Sequence, residues 1–132
     1  MKSEEEIVNE YPEIYELWHR DEFDGPAPQI SVFGFQHGEG WNGIIESLCE
    51  CLDRQDVDIT VVQQKEKWGG LRFYHNGVSA DEERESYMAM GAIRMAGDMS
   101  LHVCEECGDA GERRTSGWYR TLCDDCYAER SS

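Results

Sequence analysis

Basic residues are scarce in this chain: 12 Lys and Arg stand against 28 Asp and Glu, a formal charge of −16 over 132 residues. A surface of that average sign repels a nucleic-acid backbone and attracts a basic protein, although acidity can also serve solubility alone. No apolar run approaches the ~20 residues that span a bilayer. The opening Met1-Lys2-Ser3-Glu4-Glu5-Glu6 has no apolar signal core, so the expected location is cytoplasmic. There is no His-x3-His pair, Gly-x-Ser-x-Gly elbow, phosphate-binding loop or kinase signature. Carboxylates are too abundant for any pair to mark a general acid or base. The chain also lacks internal repeats and low-complexity tracts. These absences point away from an enzyme.

Aromatic residues are plentiful, with 4 Trp, 6 Tyr and 4 Phe, which argues against disorder despite the charge. The length fits an α+β main domain over residues 1–100 and a small module over 101–132 packed on it. Ser3 followed by Glu6 reads as a helix cap with a capping box. Apolar residues at helical spacing continue to Trp18, interrupted at Pro12, which suggests a second short helix over 11–20. Residues 29–35 read as a strand, and 36–40 as a glycine-bearing loop. A helix over 41–54 follows, burying Ile44, Ile45, Leu48, Cys49 and Leu52. Strands over 58–66 and 71–75 flank Lys67-Trp68-Gly69-Gly70, where paired glycines supply the positive φ of a tight hairpin. Ser79, with Glu82 in the reciprocal position, is expected to cap a long helix reaching Met99. The small antiparallel sheet should pack on helices 41–54 and 80–99.

The strongest chemical signal lies at the C-terminus. Cys104-x2-Cys107, fifteen residues, then Cys123-x2-Cys126 is zinc-site spacing. Each pair can turn two thiolates toward one point, and fifteen residues suffice for a hairpin that returns the chain to the metal. Gly108 permits the left-handed turn of a knuckle. Residues 122–130 look like a turn entering a helix. The module is therefore a zinc ribbon or a treble-clef-like arrangement holding one structural zinc per chain. Four sulfur ligands leave no open position for catalysis. Four negative charges less zinc's two would take the chain from −16 to about −18. Cys49 and Cys51, two apart on a helix, point about 200° from each other and cannot share a metal. His102 is close to Cys104, but with four cysteines present it is read as a surface or packing residue.

Two basic spots break the acidic field. Lys65, Lys67 and Arg72 surround Trp68; Arg113, Arg114 and Arg120 accompany Trp118 and Tyr119. They are salt-bridge partners for the surrounding acids or a platform for single-stranded nucleic acid.

The stretch Lys67-Trp68-Gly69-Gly70-Leu71-Arg72-Phe73-Tyr74, with Gly40-Trp41, Cys104-x2-Cys107-Gly108, Gly117-Trp118 and Thr121-Leu122-Cys123-Asp124, resembles a family of small bacterial and phage-encoded proteins. The likeness covers most of residues 40–126. It implies a bacterial or phage-infected host cell and transfers no catalytic residue. The leading expectation is a non-enzymatic acidic zinc protein that docks on a basic protein, in its sharpest form a phage-encoded DNA-mimic inhibitor of a host or defence protein. The alternative is a nucleic-acid-binding zinc ribbon using Arg113, Arg114, Arg120 and Trp118.

Overall fold

The structure is a computed structural model, described here for residues 1–131. The first helix, α1 (Glu4–Glu10), begins as its sequence predicts. The Ser3 hydroxyl accepts from the Glu6 amide at 3.2 Å and the Glu6 carboxylate accepts from the Ser3 amide at 3.1 Å. The helix buries Ile7 and Val8 and stops at Tyr11, ahead of Pro12. Only α2 (Glu16–His19) forms from the expected second helix, because residues 12–15 make turns.

Residues 29–35 depart from expectation. Gln29–Phe33 is a short helix, α3, and the strand β1 is confined to Phe35–Gln36. Pro28 stands immediately before α3 and Gly34, at φ 63°, immediately after it. Proline before and glycine after a segment is the helix asymmetry. The apolar residues that suggested a strand are mostly not buried: Ile30 is, but Val32 and Phe33 are exposed.

A 3-10 turn (Glu39–Trp41) leads into α4 (Asn42–Arg54), which buries the five predicted apolar residues. The strand expected over 58–66 is split. β2 (Val57–Asp58) pairs antiparallel with β5 (Ser79–Ala80), whereas β3 (Val61–Lys67) pairs antiparallel with β4 (Gly70–His75). β1 adds to β3 in parallel, so the main sheet, ordered β1-β3-β4, is mixed. Ser79 is thereby committed to a strand and does not cap a helix. The long helix α5 starts at Glu83 and ends at Ser100, behind Glu82, which makes no side-chain cap. α5 packs on β4 and α4 through its small residues, burying Ala89, Ala96 and Ser100. Its Tyr87, Met88, Met90, Met95 and Met99 remain exposed. No helix among the described residues is long and apolar enough to cross a membrane.

The hairpin between β3 and β4 turns at Trp68-Gly69, with φ of 57° and 81°. Two positive φ values match a type I′ turn. Trp68, not Gly70, is the left-handed partner of Gly69 and takes the first central position; Gly70 is already in β4. Three contacts hold the turn. The Gly69 amide donates to Glu66 at 2.8 Å, the Thr121 hydroxyl donates to the Gly69 carbonyl at 2.7 Å, and Arg113 Nε donates to the Trp68 carbonyl at 2.9 Å.

Candidate functional site

The four predicted cysteines converge. Cys104 and Cys107 lie on a knuckle closed by the Gly108 amide donating to the Cys104 carbonyl at 2.9 Å, with Gly108 at φ 84°. The chain then forms the antiparallel hairpin β6 (Glu112–Arg114) and β7 (Arg120–Leu122). It enters α6 (Asp124–Ser131), so that Cys123 precedes the helix and Cys126 sits in its first turn. Knuckle, hairpin and helix start make a treble-clef-like arrangement rather than a ribbon of two knuckles.

All four Sγ atoms lie within 4.8 Å of one another, and Cys107 and Cys123 are 3.6 Å apart. A disulfide needs sulfurs about 2.05 Å apart, and all six cysteines are free. Four sulfurs at ~2.3 Å from a tetrahedral ion are roughly 3.8 Å from each other. The donor set and its spacing therefore fit a metal ion. Crowded thiols resist joint ionisation. Burial pushes Cys104 up, but the amides of Cys123, Cys107 and Glu106 outweigh it and bring the thiol down to about 7. At Cys107 the Asp109 amide lowers the pKa; desolvation and the Cys104 and Cys123 thiols overcome it and lift it to about 11. The Cys123 thiol, then desolvation, raises Cys126 as well. A central cation removes that conflict. His102 is exposed and outside the cluster.

The knuckle is tied to the main domain through the loop that precedes α4. The Gly40 amide donates to the Glu105 carbonyl at 2.8 Å, and the Glu105 carboxylate accepts from the Gly38 amide at 2.9 Å and from Arg120 at 3.2 Å. Burial raises the pKa of Glu105, while the Gly38 amide and Arg120 pull it down. Trp41, fully buried, donates its Nε1 to the Val103 carbonyl at 2.8 Å. The roles of Gly38, Gly40 and Glu105 are not legible in the sequence alone. The one trace there is two glycines flanking Glu39, directly before a tryptophan.

The predicted basic residues divide. Arg114 is largely buried, lies 4.5 Å from the Tyr127 ring centroid, and bonds the Leu122 carbonyl and Asp124. Arg120 pairs with buried Glu105. Both serve the module's own packing. Arg113 stays exposed, 5.0 Å from the Tyr119 ring centroid. Trp118 is 79% exposed and Trp68 60%, which places both indoles outward.

The acids gather as well. A groove of about 680 Å³ runs between residues 10–16 and 52–60. Glu10, Glu13, Glu16, Asp53, Asp56 and Asp58 line it, and no Lys or Arg does. Glu10 and Glu16 are paired with Lys2 and Arg20 outside the groove. Acids from residues 10–16 and 53–58, far apart in sequence, thus meet in one groove. Cys49 is buried beside Tyr15, and burial pushes its thiol up to about 12. Cys51 accepts from Gln55 Nε2. Neither cysteine belongs to the four-cysteine cluster.

No protein-family model matches the chain, and neither a curated protein nor a solved structure matches it.

Proposed function

We propose that this chain is a non-enzymatic zinc protein that acts by docking its acidic groove on a basic protein. The observation that carries the reading is the groove itself: six carboxylates from two distant stretches of sequence and no base among its lining residues. Such a field draws a positively charged surface by steering, and the draw weakens as salt rises. A nucleic-acid-binding channel is the partner chemistry that best complements it, since phosphates along DNA recur with one charge per ~1.7 Å. With the phage origin that the sequence resemblance implies, this chemistry would suit a DNA-mimic inhibitor of a host or defence protein.

Cys104, Cys107, Cys123 and Cys126 would hold one zinc. Sulfur is the donor that structural zinc favours, and a closed four-sulfur set has no position for an activated water. The metal's part is to fold the module that braces the loop beneath Trp41.

The test compares the zinc-loaded chain with a variant carrying Glu13→Gln, Asp53→Asn, Asp56→Asn and Asp58→Asn. Both are immobilised and exposed to bacterial lysate across a salt series, with duplex DNA as competitor. The expected result is that basic nucleic-acid-binding proteins bind the wild type, elute with salt or DNA, and fail to bind the variant. Equal retention by the two chains would refute the groove's role.

A further inference from the structure

Seven of the twelve bases form ion pairs. The five with no ion pair to a described residue are Lys65, Lys67, Arg72, Arg94 and Arg113, and all five surround Trp68. In a chain with more than twice as many acids as bases, this segregation runs against charge pairing. Lys65 also stands directly opposite Arg72 in the β3–β4 register. Like charges at that position repel and destabilise a sheet.

Trp68 separates two clefts of about 400 Å³ each. On one side, between β4 and α5, Lys67, Arg72, Arg94 and Arg113 line the wall with a single acid, Asp98. On the other, Lys65 and Lys67 face Trp118 and Tyr119, and Glu66, the one acid there, is occupied by the Gly69 amide. The Trp68 and Tyr119 rings meet edge to face at 5.8 Å. Exposed flat rings flanked by unpaired cations are the components of a single-strand platform: bases stack on the rings while phosphates meet the cations.

We infer that this face binds single-stranded nucleic acid, with unstacked bases on Trp68 and Trp118 and the backbone along Lys65, Lys67, Arg72 and Arg94. It is a different surface from the acidic groove. The groove takes in Asp58 to Thr60, ahead of β3, and the cationic face begins at the far end of that strand, Lys65 to Lys67. At ~3.3 Å per residue the two lie roughly 20 Å apart, beyond the ~8 Å screening length of physiological salt. A single strand suits the face better than a duplex. It carries half the linear charge, so the acidic body repels it less, and its bases are free to stack. An acidic peptide would satisfy the cations but leave the exposed indoles of Trp68 and Trp118 with nothing stacked on them.

The probe is a fluorescently labelled ten-residue oligothymidylate, titrated with the zinc-loaded full chain and followed by anisotropy and indole quenching. Binding is expected at about 50 mM salt, falling as salt rises. Trp118→Ala and Trp68→Asn should each weaken it about tenfold. Both side chains are exposed, so the fold should survive either change. The pair Lys65→Ala and Arg72→Ala should reduce the slope of log affinity against log salt by ~1.4, about 0.7 for each phosphate that is no longer neutralised. The acidic-groove variant should bind the probe at least as well as the wild type, which keeps this result separate from the test of the groove. Four outcomes overturn the inference: no binding at low salt, binding unaffected by the tryptophan changes, tighter binding of the duplex, or displacement of the probe by a ten-residue polyglutamate charge for charge.

Discussion

Gly40 lies so close to the Cys104–Cys107 knuckle that a Cβ added to it would stand 2.2 Å from the carbonyl oxygen of Cys104. This approach joins the start of α4 to a residue more than sixty positions away. It explains why the loop before Trp41 needs glycine: backbone packs on backbone there, and neither side has a flexible end to move aside.

Gly40→Ala should therefore separate the knuckle from the loop. Overpacking of this kind costs about 1–3 kcal/mol, read as a lower urea midpoint together with faster zinc loss to a chelator. Gly43→Ala is the contrast. Gly43 lies within α4 with nothing within 4 Å of an added Cβ. That change should stabilise by roughly 0.5–1 kcal/mol, the ordinary gain of alanine over glycine in a helix. Equal effects at the two positions would rule out the close approach as the cause.

Removal of metal should do more than unfold residues 101–131. Protein purified without added metal should contain one zinc per chain by elemental analysis. Stripping it with a chelator under reducing conditions should release the Val103 and Glu105 hydrogen bonds that hold Trp41 and the 38–40 loop. The near-ultraviolet circular dichroism of the main domain should change and its melting temperature should fall. Cys123→Ser should reproduce the effect, since metal binding supplies much of a small module's folding energy. A chelated protein that melts as the loaded one does would remove the metal from the account.

The sequence made the four-cysteine cluster legible because its geometry is local: two short cysteine pairs fix their own turns, and the spacing between them needs only a hairpin. The capping box at Ser3 and the buried stripe of α4 were legible for the same reason. What it did not show was set by distant partners. Ser79 carries a helix-capping pattern, yet β2 captures its backbone. Residues 29–35 read as a strand with Ile30, Val32 and Phe33 to bury, yet Pro28 and Gly34 frame a helix that buries little but Ile30. The gathering of acids from residues 10–16 and 53–58 in one groove, and of Arg94 beside Arg72, depends on how helices and strands cross, which no local pattern encodes.

His37 makes stability sensitive to acid. Its Nε2 lies 2.9 Å from Gln64 Nε2 and its Nδ1 2.9 Å from the Gly38 carbonyl, while its ring packs between Phe35 and Trp41. The neutral ring with a proton on Nδ1 satisfies both neighbours. A second proton would point at the Gln64 amide, whose oxygen already accepts from Tyr15 at 2.6 Å. Burial lowers the His37 pKa below its ordinary 6.5, and the Gly38 carbonyl only partly restores it. With the folded pKa depressed, the unfolded chain binds the extra proton first as pH falls. His37's contribution is therefore fully present above about 6.5 and is lost progressively as pH drops through the folded value. Urea unfolding between pH 8 and pH 5 should show that loss, and His37→Gln should flatten it. An unchanged slope in the variant would assign the acid sensitivity to other groups.

Trp68 offers a way to separate backbone strain from side-chain packing. It is the one residue other than glycine with positive φ among those described, a conformation that costs an L-residue with a bulky side chain roughly 1–2 kcal/mol. Asparagine accepts it readily, and Asn-Gly is the favoured pair for a type I′ turn. Trp68→Asn therefore relieves the strain while giving up the edge-to-face packing on Tyr119, worth about 0.5–1.5 kcal/mol. The two nearly cancel, so the thermal midpoint should stay close to wild type. Trp68→Ala gives up the same packing and keeps the strain, so it should be less stable than Trp68→Asn by about 1 kcal/mol. Chemical denaturation of the three zinc-loaded proteins measures the difference directly. Identical midpoints for the alanine and asparagine variants would mean that the turn carries no strain and that tryptophan occupies it without cost.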